Sequence, residues 1–174
     1  TVDTNAGEDA LFEAARAAAS FPVLRQRLDV ADVFVHAGEG CDGGIAIERK
    51  TVGDMCASIA DGRLAEQKAR MIDPNVRYVY AIEGATVEAW AGTFRSGAMP
   101  LKCMWAAIVK MQLRDGIAVV HTRSPADTAA LAVYLAQQLQ KGGFDPKPCS
   151  VLAGVGVCKR KRDNLGDPTA VLRG

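Results

Sequence analysis

Residues 76–82 form a nearly continuous apolar run that ends at Glu83 and Gly84. A strand with one face in water alternates polar and apolar residues, whereas a strand covered on both faces is apolar almost throughout. The run therefore predicts a central strand with helices packed on both sides of its sheet. With 174 residues, of which 49% are hydrophobic, the chain is long enough to build such a core without disulfide or metal staples.

Strand and helix patterns alternate around this run, which predicts an α/β domain. Further strands are expected at 1–3 (a short stub), 23–30, 33–36, 45–49 and 116–121. Helices are expected at 8–20, 52–60, 63–72, 87–93 and 101–113. A last helix should begin after Ser124, a favourable N-cap followed by proline, and should stop near Gly142.

The segment Glu48-Arg49-Lys50 carries the strongest indication of chemistry. Because side chains alternate along a strand, Glu48 and Lys50 should leave one face and Arg49 the other. Asp32 lies just before an earlier apolar run, and a hairpin through the glycine-rich segment 38–44 would return the chain beside it. Mg²⁺ or Mn²⁺ is commonly held by one or two carboxylates, and a neighbouring lysine can orient water. The alternative is that these charges are ordinary surface residues.

Residues 28–32 and 47–54 resemble the pattern GDx(n)ERKxxxD of the XPF family of structure-specific endonucleases. Residues 54–68 contain SIxDGRxxEQK and resemble the helix pair that follows this pattern, most closely in the Mus-type crossover junction endonucleases. Residues 78–84 resemble the next strand, and weaker similarity extends over about 2–146. The resemblance implies a restriction-endonuclease-like core, in which a central mixed sheet is flanked by helices.

The acids of the family pattern match Asp3, Asp32 and Glu48, so the resemblance implies that these three residues bind Mg²⁺ or Mn²⁺. The family usually has a glutamate three residues after its first aspartate, where this chain has Ala6. Either Glu8 replaces that glutamate from a shifted loop, or the site lacks one acid.

The resemblance also implies a set of catalytic residues. It consists of the metal-binding acids Asp32 and Glu48 and of three further residues of the motif. Lys50 would orient the attacking water, Arg49 would brace the site through its carbonyl and side chain, and Asp54 would anchor the following helix. The family usually has glycine before its metal-binding aspartate, where this chain has Ala31. That replacement should cost little if the backbone there has a negative φ.

A predicted helix at 63–72 carries the candidate DNA-binding residues. Arg63, Gln67 and Arg70 share one face, because they are spaced four and then three residues apart. The resemblance implies that this segment lies beside the site, where Arg63 and Gln67 contact backbone phosphate or orient Glu48. The alternative is a solvated helix face stabilised by neighbouring acids such as Asp61.

Other polar and aromatic candidates carry weaker signals. His36 and His121 are expected to be solvent-facing or hydrogen-bonded residues. Glu83 is expected to be either a secondary acid or a helix cap. The aromatic residues that belong either to the core or to a partner surface are Trp90, Phe94 and Trp105.

Composition limits the class of protein. A net charge of +1 is low for a chain whose whole surface binds nucleic acid, so DNA contact is expected through local patches. Five cysteines without a CxxC pair predict reduced thiols in an intracellular protein rather than disulfides or a zinc site. We find no apolar run long enough to span a bilayer and, at Thr1, no signal peptide or initiator methionine, which suggests an excised domain.

The character of the sequence changes after Gly143, so we expect a nuclease domain at 1–146 and a linker with a basic tail at 147–174. Proteins of the resembled family generally continue into a tandem helix-hairpin-helix domain, toward which this tail would lead. Its basic run at 159–162 would alternatively bind DNA, act as a nuclear localisation signal or form a solvated linker.

The sequence thus predicts a metal-dependent endonuclease that cuts branched DNA, such as 3′ flaps, forks and nicked junctions, in repair, recombination or replication. The resemblance implies a homodimer, or a heterodimer with a related non-catalytic subunit, in the nucleus or wherever DNA is replicated. One alternative is a non-catalytic family member that serves as a DNA-binding or dimerisation subunit. Another is a related resolvase or restriction-type nuclease.

Overall fold

The computed structural model describes residues 1–38, 43–84 and 100–142. Four strands form one sheet in the order β1 (Val33–His36), β2 (Gly44–Thr51), β3 (Val76–Glu83) and β4 (Ala118–Thr122). β1 is antiparallel to β2, whereas β2, β3 and β4 are parallel to one another. The expected antiparallel pairing of β1 with β2 and the mixed sheet are therefore present, while residues 39–42 of the glycine-rich segment lie outside the described ranges.

The helices follow their sequence signals closely. They are α1 (Asp9–Ala18), α2 (Val52–Ala60), α3 (Arg63–Arg70), α4 (Leu101–Leu113) and α5 (Pro125–Gln140). The α2 and α3 helices are separated at Gly62, whose φ of 83° lies in the left-handed region that glycine adopts at little cost. The α5 helix starts as predicted, because the Ser124 hydroxyl accepts a hydrogen bond from the Asp127 N–H at 3.3 Å.

The sheet separates two hydrophobic cores, and different helices cover its two faces. On one face, Ile47, Val79 and Ala81 pack with residues of α1 and α5. On the other face, Tyr80 and Ile82 pack with residues of α2, α3 and α4. β3 is thus covered on both sides, as its apolar sequence predicts.

The strand expected at 23–30 is wrong. The segment makes only an isolated bridge, in which Val2 pairs with Arg25, and Leu24 is 59% exposed. No continuous strand lies beside this segment, because the N-terminal stub pairs with it through Val2 alone. A strand needs continuous hydrogen bonding along one edge, and a single bridge does not provide it.

Several expectations fall on residues outside the described ranges. These are the helix at 87–93, the aromatic candidates Trp90 and Phe94, and the linker and tail at 147–174. Among the described residues, Cys56 and Cys103 are free thiols. None of the helices in the described part of the chain is long and apolar enough to cross a membrane.

Candidate active site

Glu48 and Lys50 lie side by side on the face of the sheet that α3 covers. Lys50 Nζ is 3.5 Å from Glu48 Oε1, and Gln67 Nε2 donates a hydrogen bond to the same oxygen at 3.1 Å. The alternation of side chains along β2 produces this arrangement, as the sequence predicts. The carboxylate of Glu48 is therefore held between a strand neighbour and a helix residue.

Asp32 reaches the site through the antiparallel pairing of β1 with β2. Its N–H donates to the Ile47 carbonyl at 3.0 Å, and its Oδ2 accepts from the Arg49 N–H at 2.7 Å. Burial raises the pKa of Asp32, although the Arg49 N–H partly opposes that change. Burial and then the nearby Asp32 charge raise the pKa of Glu48 to about 7. Two acids that repel each other are thus held together in a poorly solvated place.

Arg49 leaves the opposite face and joins several elements. Its Nε and Nη2 donate to the two oxygens of Glu83, each at 2.8 Å, and its Nη1 donates to Glu8. The Thr128 hydroxyl on α5 also donates to Glu83, at 2.6 Å. Burial opposes ionisation of Glu83, yet the hydrogen bonds from Arg49 and Thr128 keep its pKa below the usual value. Arg49 therefore contacts Glu83 and Glu8 through its side chain and Asp32 through its N–H, while the expected role of its carbonyl stays a prediction.

Glu8 enters the site from the short 3₁₀ helix Ala6–Glu8. Its side chain is buried and accepts a hydrogen bond from Arg49. Glu8 and Asp32 line one cavity, and burial, followed by the charge of Asp32, raises the pKa of Glu8. Glu8 thus lines a cavity together with Asp32 and Glu48, and its role as a replacement for the acid absent at Ala6 stays a prediction.

Asp3 and Asp54 are fixed by local hydrogen bonds. Asp3 is buried, and its Oδ1 accepts from the Leu28 N–H at 2.8 Å. Asp54 is exposed at the start of α2, where its Oδ2 accepts from the Thr51 hydroxyl at 2.6 Å. The Thr51 oxygen in turn accepts from the Asp54 N–H at 3.1 Å. Asp54 therefore secures the first turn of α2, in line with its expected anchoring role.

In residues 1–38, 43–84 and 100–142, no group of three or more His, Cys, Asp or Glu side chains is arranged to hold a metal ion. The expected triad of Asp3, Asp32 and Glu48 is thus not a preformed cage. Mg²⁺, however, usually takes one or two protein carboxylates and keeps several waters. Asp32 and Glu48 provide that smaller donor set.

Two polar cavities meet at these acids. One, of about 650 Å³, is lined by residues that include Asp3, Arg27, Asp32, Glu48, Gln67 and Arg70. The other, of about 250 Å³, is lined by residues that include Glu8, Asp32, Glu48, Lys50, Asp54 and Glu83. Asp32 and Glu48 line both cavities, so they stand where the two join.

The helix residues proposed for DNA do not all face the site. Gln67 and Arg70 line the larger cavity, whereas Arg63 does not. Arg63 Nε instead donates to Asp61 at 2.6 Å on an exposed surface. The turn at Gly62 brings Asp61 close to the start of α3, which explains why this local pair forms.

Ala31 has an unusual backbone conformation for a residue other than glycine. Its φ is +70°, in the left-handed region, so the condition under which alanine would cost little at this position is not met. Residues with a Cβ adopt this region at a cost of about 1 kcal/mol, which glycine avoids. The chain therefore carries strain immediately before Asp32.

The remaining candidates are peripheral. His36 is exposed, and its Nε2 lies 3.1 Å from the Thr1 hydroxyl oxygen. His121 is exposed on β4. Trp105 is 56% exposed on α4, which excludes it from the core.

Tyr80 is a site residue that the sequence patterns did not identify. It is fully buried on β3 directly opposite Glu48. Burial, then the charges of Glu48 and Asp32, raise the pKa of Tyr80. A tyrosine in a central strand expected to be covered on both faces was the available signal, but the strand register was needed to place it beside Glu48.

Part of this chain is similar in sequence to curated proteins. The human protein "Structure-specific endonuclease subunit MUS81" is 32% identical over 96 residues, which are 55% of this chain and 16% of that protein. Its counterpart from Danio rerio is 33% identical over 96 residues, which are 55% of this chain and 15% of that protein. The chain thus spans only a small part of the length of these curated relatives.

Solved structures share the fold. "XPF from Aeropyrum pernix, complex with DNA" matches with a TM-score of 0.63 and 26% identity, over 80% of this chain and 64% of that chain. "XPF from Aeropyrum pernix" matches with a TM-score of 0.62 and 27% identity, over 81% of this chain and 64% of that chain. The predicted core, a mixed sheet flanked by helices, is confirmed.

The family model of the ERCC4 domain matches residues 6–135, which is well over half of the chain. That range contains the strands and helices that bring Asp32, Glu48, Arg49 and Lys50 together. The family resemblance carried by these motif residues is confirmed: the chain belongs to the ERCC4 domain family, and it is similar in sequence to MUS81 and in fold to XPF.

Proposed function

We propose that this chain is the catalytic domain of a structure-specific endonuclease that hydrolyses phosphodiester bonds in branched DNA. The observation that carries the proposal is the meeting of two half-buried acids, Asp32 and Glu48, with the buried ammonium group of Lys50. Asp32 and Glu48 line the same two cavities, and Lys50 Nζ is 3.5 Å from Glu48 Oε1. The printed names of its MUS81 relatives describe structure-specific endonucleases, which supports the same activity here.

The donor set fits Mg²⁺ or Mn²⁺. Asp32 and Glu48 supply hard oxygen ligands, and Asp3 lines the same cavity as a third candidate. A cation bound there would neutralise charge on the scissile phosphate and lower the pKa of a bound water. Because two neighbouring carboxylates repel each other, a bound cation would stabilise their ionised forms.

The other motif residues have supporting tasks. Lys50 holds the attacking water in position from the side of Glu48. Arg49 fixes the edge of the sheet through Glu83 and Glu8, and Asp54 secures α2. None of these tasks requires the side chain of Lys50, Arg49 or Asp54 to move during the reaction.

DNA would follow the larger cavity. Gln67 and Arg70 line this cavity from α3 and Arg27 lines it from the segment before β1, so the guanidinium groups can reach backbone phosphates. Arg63 would act farther out, at the exposed start of α3. Such contacts position the duplex without selecting a base sequence, so the shape of the branch would be recognised.

The finer features of the proposal concern substrate and assembly. We expect 3′ flaps, forks and nicked junctions as substrates, in repair, recombination or replication. We expect a homodimer, or a heterodimer with a related non-catalytic subunit, acting in the nucleus or wherever DNA is replicated. In this proposal residues 1–146 form the nuclease domain, and the basic tail at 147–174 leads to a helix-hairpin-helix domain.

The test is cleavage of labelled flap, fork, nicked-junction and plain duplex DNA in Mg²⁺ or Mn²⁺, with EDTA as the control. The proposal expects cuts near the branch point of the first three and none in the plain duplex. Binding of branched DNA without any cut, in either metal, would instead support a non-catalytic DNA-binding subunit. Retention of the juxtaposed Glu48 and Lys50 favours the enzyme.

A further inference from the structure

Tyr80 stands beside Glu48 in the sheet. The two residues are register partners on the parallel strands β3 and β2, so their side chains leave the same face. Tyr80 is fully buried, and its hydroxyl has no hydrogen-bond partner in the part of the chain that the structure describes. Buried polar groups are nearly always paired, so this hydroxyl calls for an explanation.

Gln67 provides a second unpaired atom at the same carboxylate. Its Nε2 donates to Glu48 Oε1 at 3.1 Å, while its own Oε1 is buried with no partner among the described residues. The two unpaired groups are chemically complementary, because the Tyr80 hydroxyl has a hydrogen to donate and the Gln67 oxygen can accept one. Both belong to side chains that adjoin Glu48.

We propose that Tyr80 is a positioning residue for Glu48, which it holds, together with Gln67, through one buried water. This inference rests on the proposed function, because it assigns Glu48 to a cation. The water would accept a hydrogen bond from Tyr80 and donate to Gln67 Oε1 and to the Glu48 carboxylate. Three hydrogen bonds are typical of a buried water.

The consequence for function is control of the orientation of Glu48. Carboxylates that bind metal ions are usually held by an outer layer of hydrogen bonds, and loss of one such partner commonly lowers metal affinity or activity by about 10–100-fold. Around Tyr80 the packing is apolar, with Leu64 and Met71 of the same core, so phenylalanine would fill the same space. The hydroxyl is therefore the part of the side chain that can be tested alone.

The first test is Tyr80→Phe, with Mn²⁺ affinity measured by calorimetric titration of the DNA-free protein. The expected loss of affinity is about 10–100-fold, with an unchanged circular dichroism spectrum and unchanged DNA binding in EDTA. The matched control is Tyr78→Phe on the same strand and face, where the hydroxyl accepts from the Asp73 N–H at 3.2 Å. That control should keep wild-type Mn²⁺ affinity.

The second test combines Tyr80→Phe with Gln67→Ala. If both side chains act through one water, the double variant should lose less Mn²⁺ affinity than the product of the two single losses. Wild-type affinity in Tyr80→Phe, with a higher melting temperature from removal of an unpaired hydroxyl, would overturn the inference alone. Independent, fully multiplicative losses would also overturn it. A wild-type chain that binds no Mn²⁺ and cuts no branched DNA would overturn the proposed function as well.

Discussion

Arg49 and Glu83 form a two-point ion pair at the carboxyl ends of β2 and β3, with Nε and Nη2 each 2.8 Å from a carboxylate oxygen. Little of either side chain reaches solvent, since 12% of Arg49 and 8% of Glu83 are exposed. Thr128 adds a hydrogen bond from α5 to the same carboxylate. This pair therefore ties the strand that carries Glu48 to the central strand and to a helix on the opposite face.

Substitution Glu83→Ala should destabilise the fold strongly, because it leaves the Arg49 charge buried with only Glu8 beside it. Loss of one partner from such a pair typically costs about 3–5 kcal/mol in the free energy of unfolding. Urea denaturation measures the change. Arg123→Ala is the control, because Arg123 is 88% exposed in its pair with Asp127 and its loss should cost less than about 1 kcal/mol. Equal losses in the two variants would show that the Arg49 pair does not brace the sheet.

Ala31→Gly should stabilise the protein by about 1 kcal/mol, because glycine adopts the φ of +70° without the Cβ strain. The measurement is the midpoint of urea unfolding at constant slope. Ala57→Gly is the matched control, since Ala57 lies on the exposed side of α2 and glycine there should destabilise by about 1 kcal/mol. A loss of stability in Ala31→Gly would mean that position 31 is not strained.

Lys50→Ala should abolish cleavage of a flap substrate while DNA binding stays nearly unchanged, because the ammonium acts on water rather than on the duplex. Gel-based cleavage and fluorescence anisotropy measure the two properties separately. Lys110→Ala removes the same charge from the exposed side of α4 and should leave both unchanged. Cleavage at the wild-type rate by Lys50→Ala would remove that residue from the mechanism.

Arg70→Ala should weaken DNA binding evenly across sequences, because Arg70 lines the larger cavity and contacts phosphate in the proposed complex. The slope of log affinity against log salt should fall by about 1. Arg63→Ala should have a smaller effect of the same kind, since Arg63 is already paired with Asp61. A changed sequence preference in either variant would argue against phosphate contacts.

The fold could be predicted where the local sequence pattern determines which faces of a strand are buried. The apolar run of β3 predicted its cover on both faces, and the two-residue spacing of Glu48 and Lys50 predicted their shared side. The pattern at 23–30 misled, because alternation does not show whether a neighbouring strand exists. The left-handed φ of Ala31 was hidden for a similar reason, since surrounding tertiary structure imposes it.

The motif residues of the candidate site could be identified from the sequence, whereas the contacts that other residues make with them could not. Tyr80 reaches Glu48 by strand register, and Glu8 reaches Arg49 from a loop 41 residues away in sequence. Neither of these two contacts can be inferred from the local sequence pattern. Arg63 matches the alternative interpretation of its helix face, because its side chain is exposed and paired with the neighbouring Asp61.

The most direct test of the account is a crystal of the domain soaked in Mn²⁺ and measured for anomalous scattering. We expect one strong peak between the carboxylates of Asp32 and Glu48, on the side from which Lys50 approaches, and its loss in Asp32→Asn. Ordered density for both acids with no peak between them, or a peak that persists in Asp32→Asn, would contradict the proposed metal-dependent mechanism.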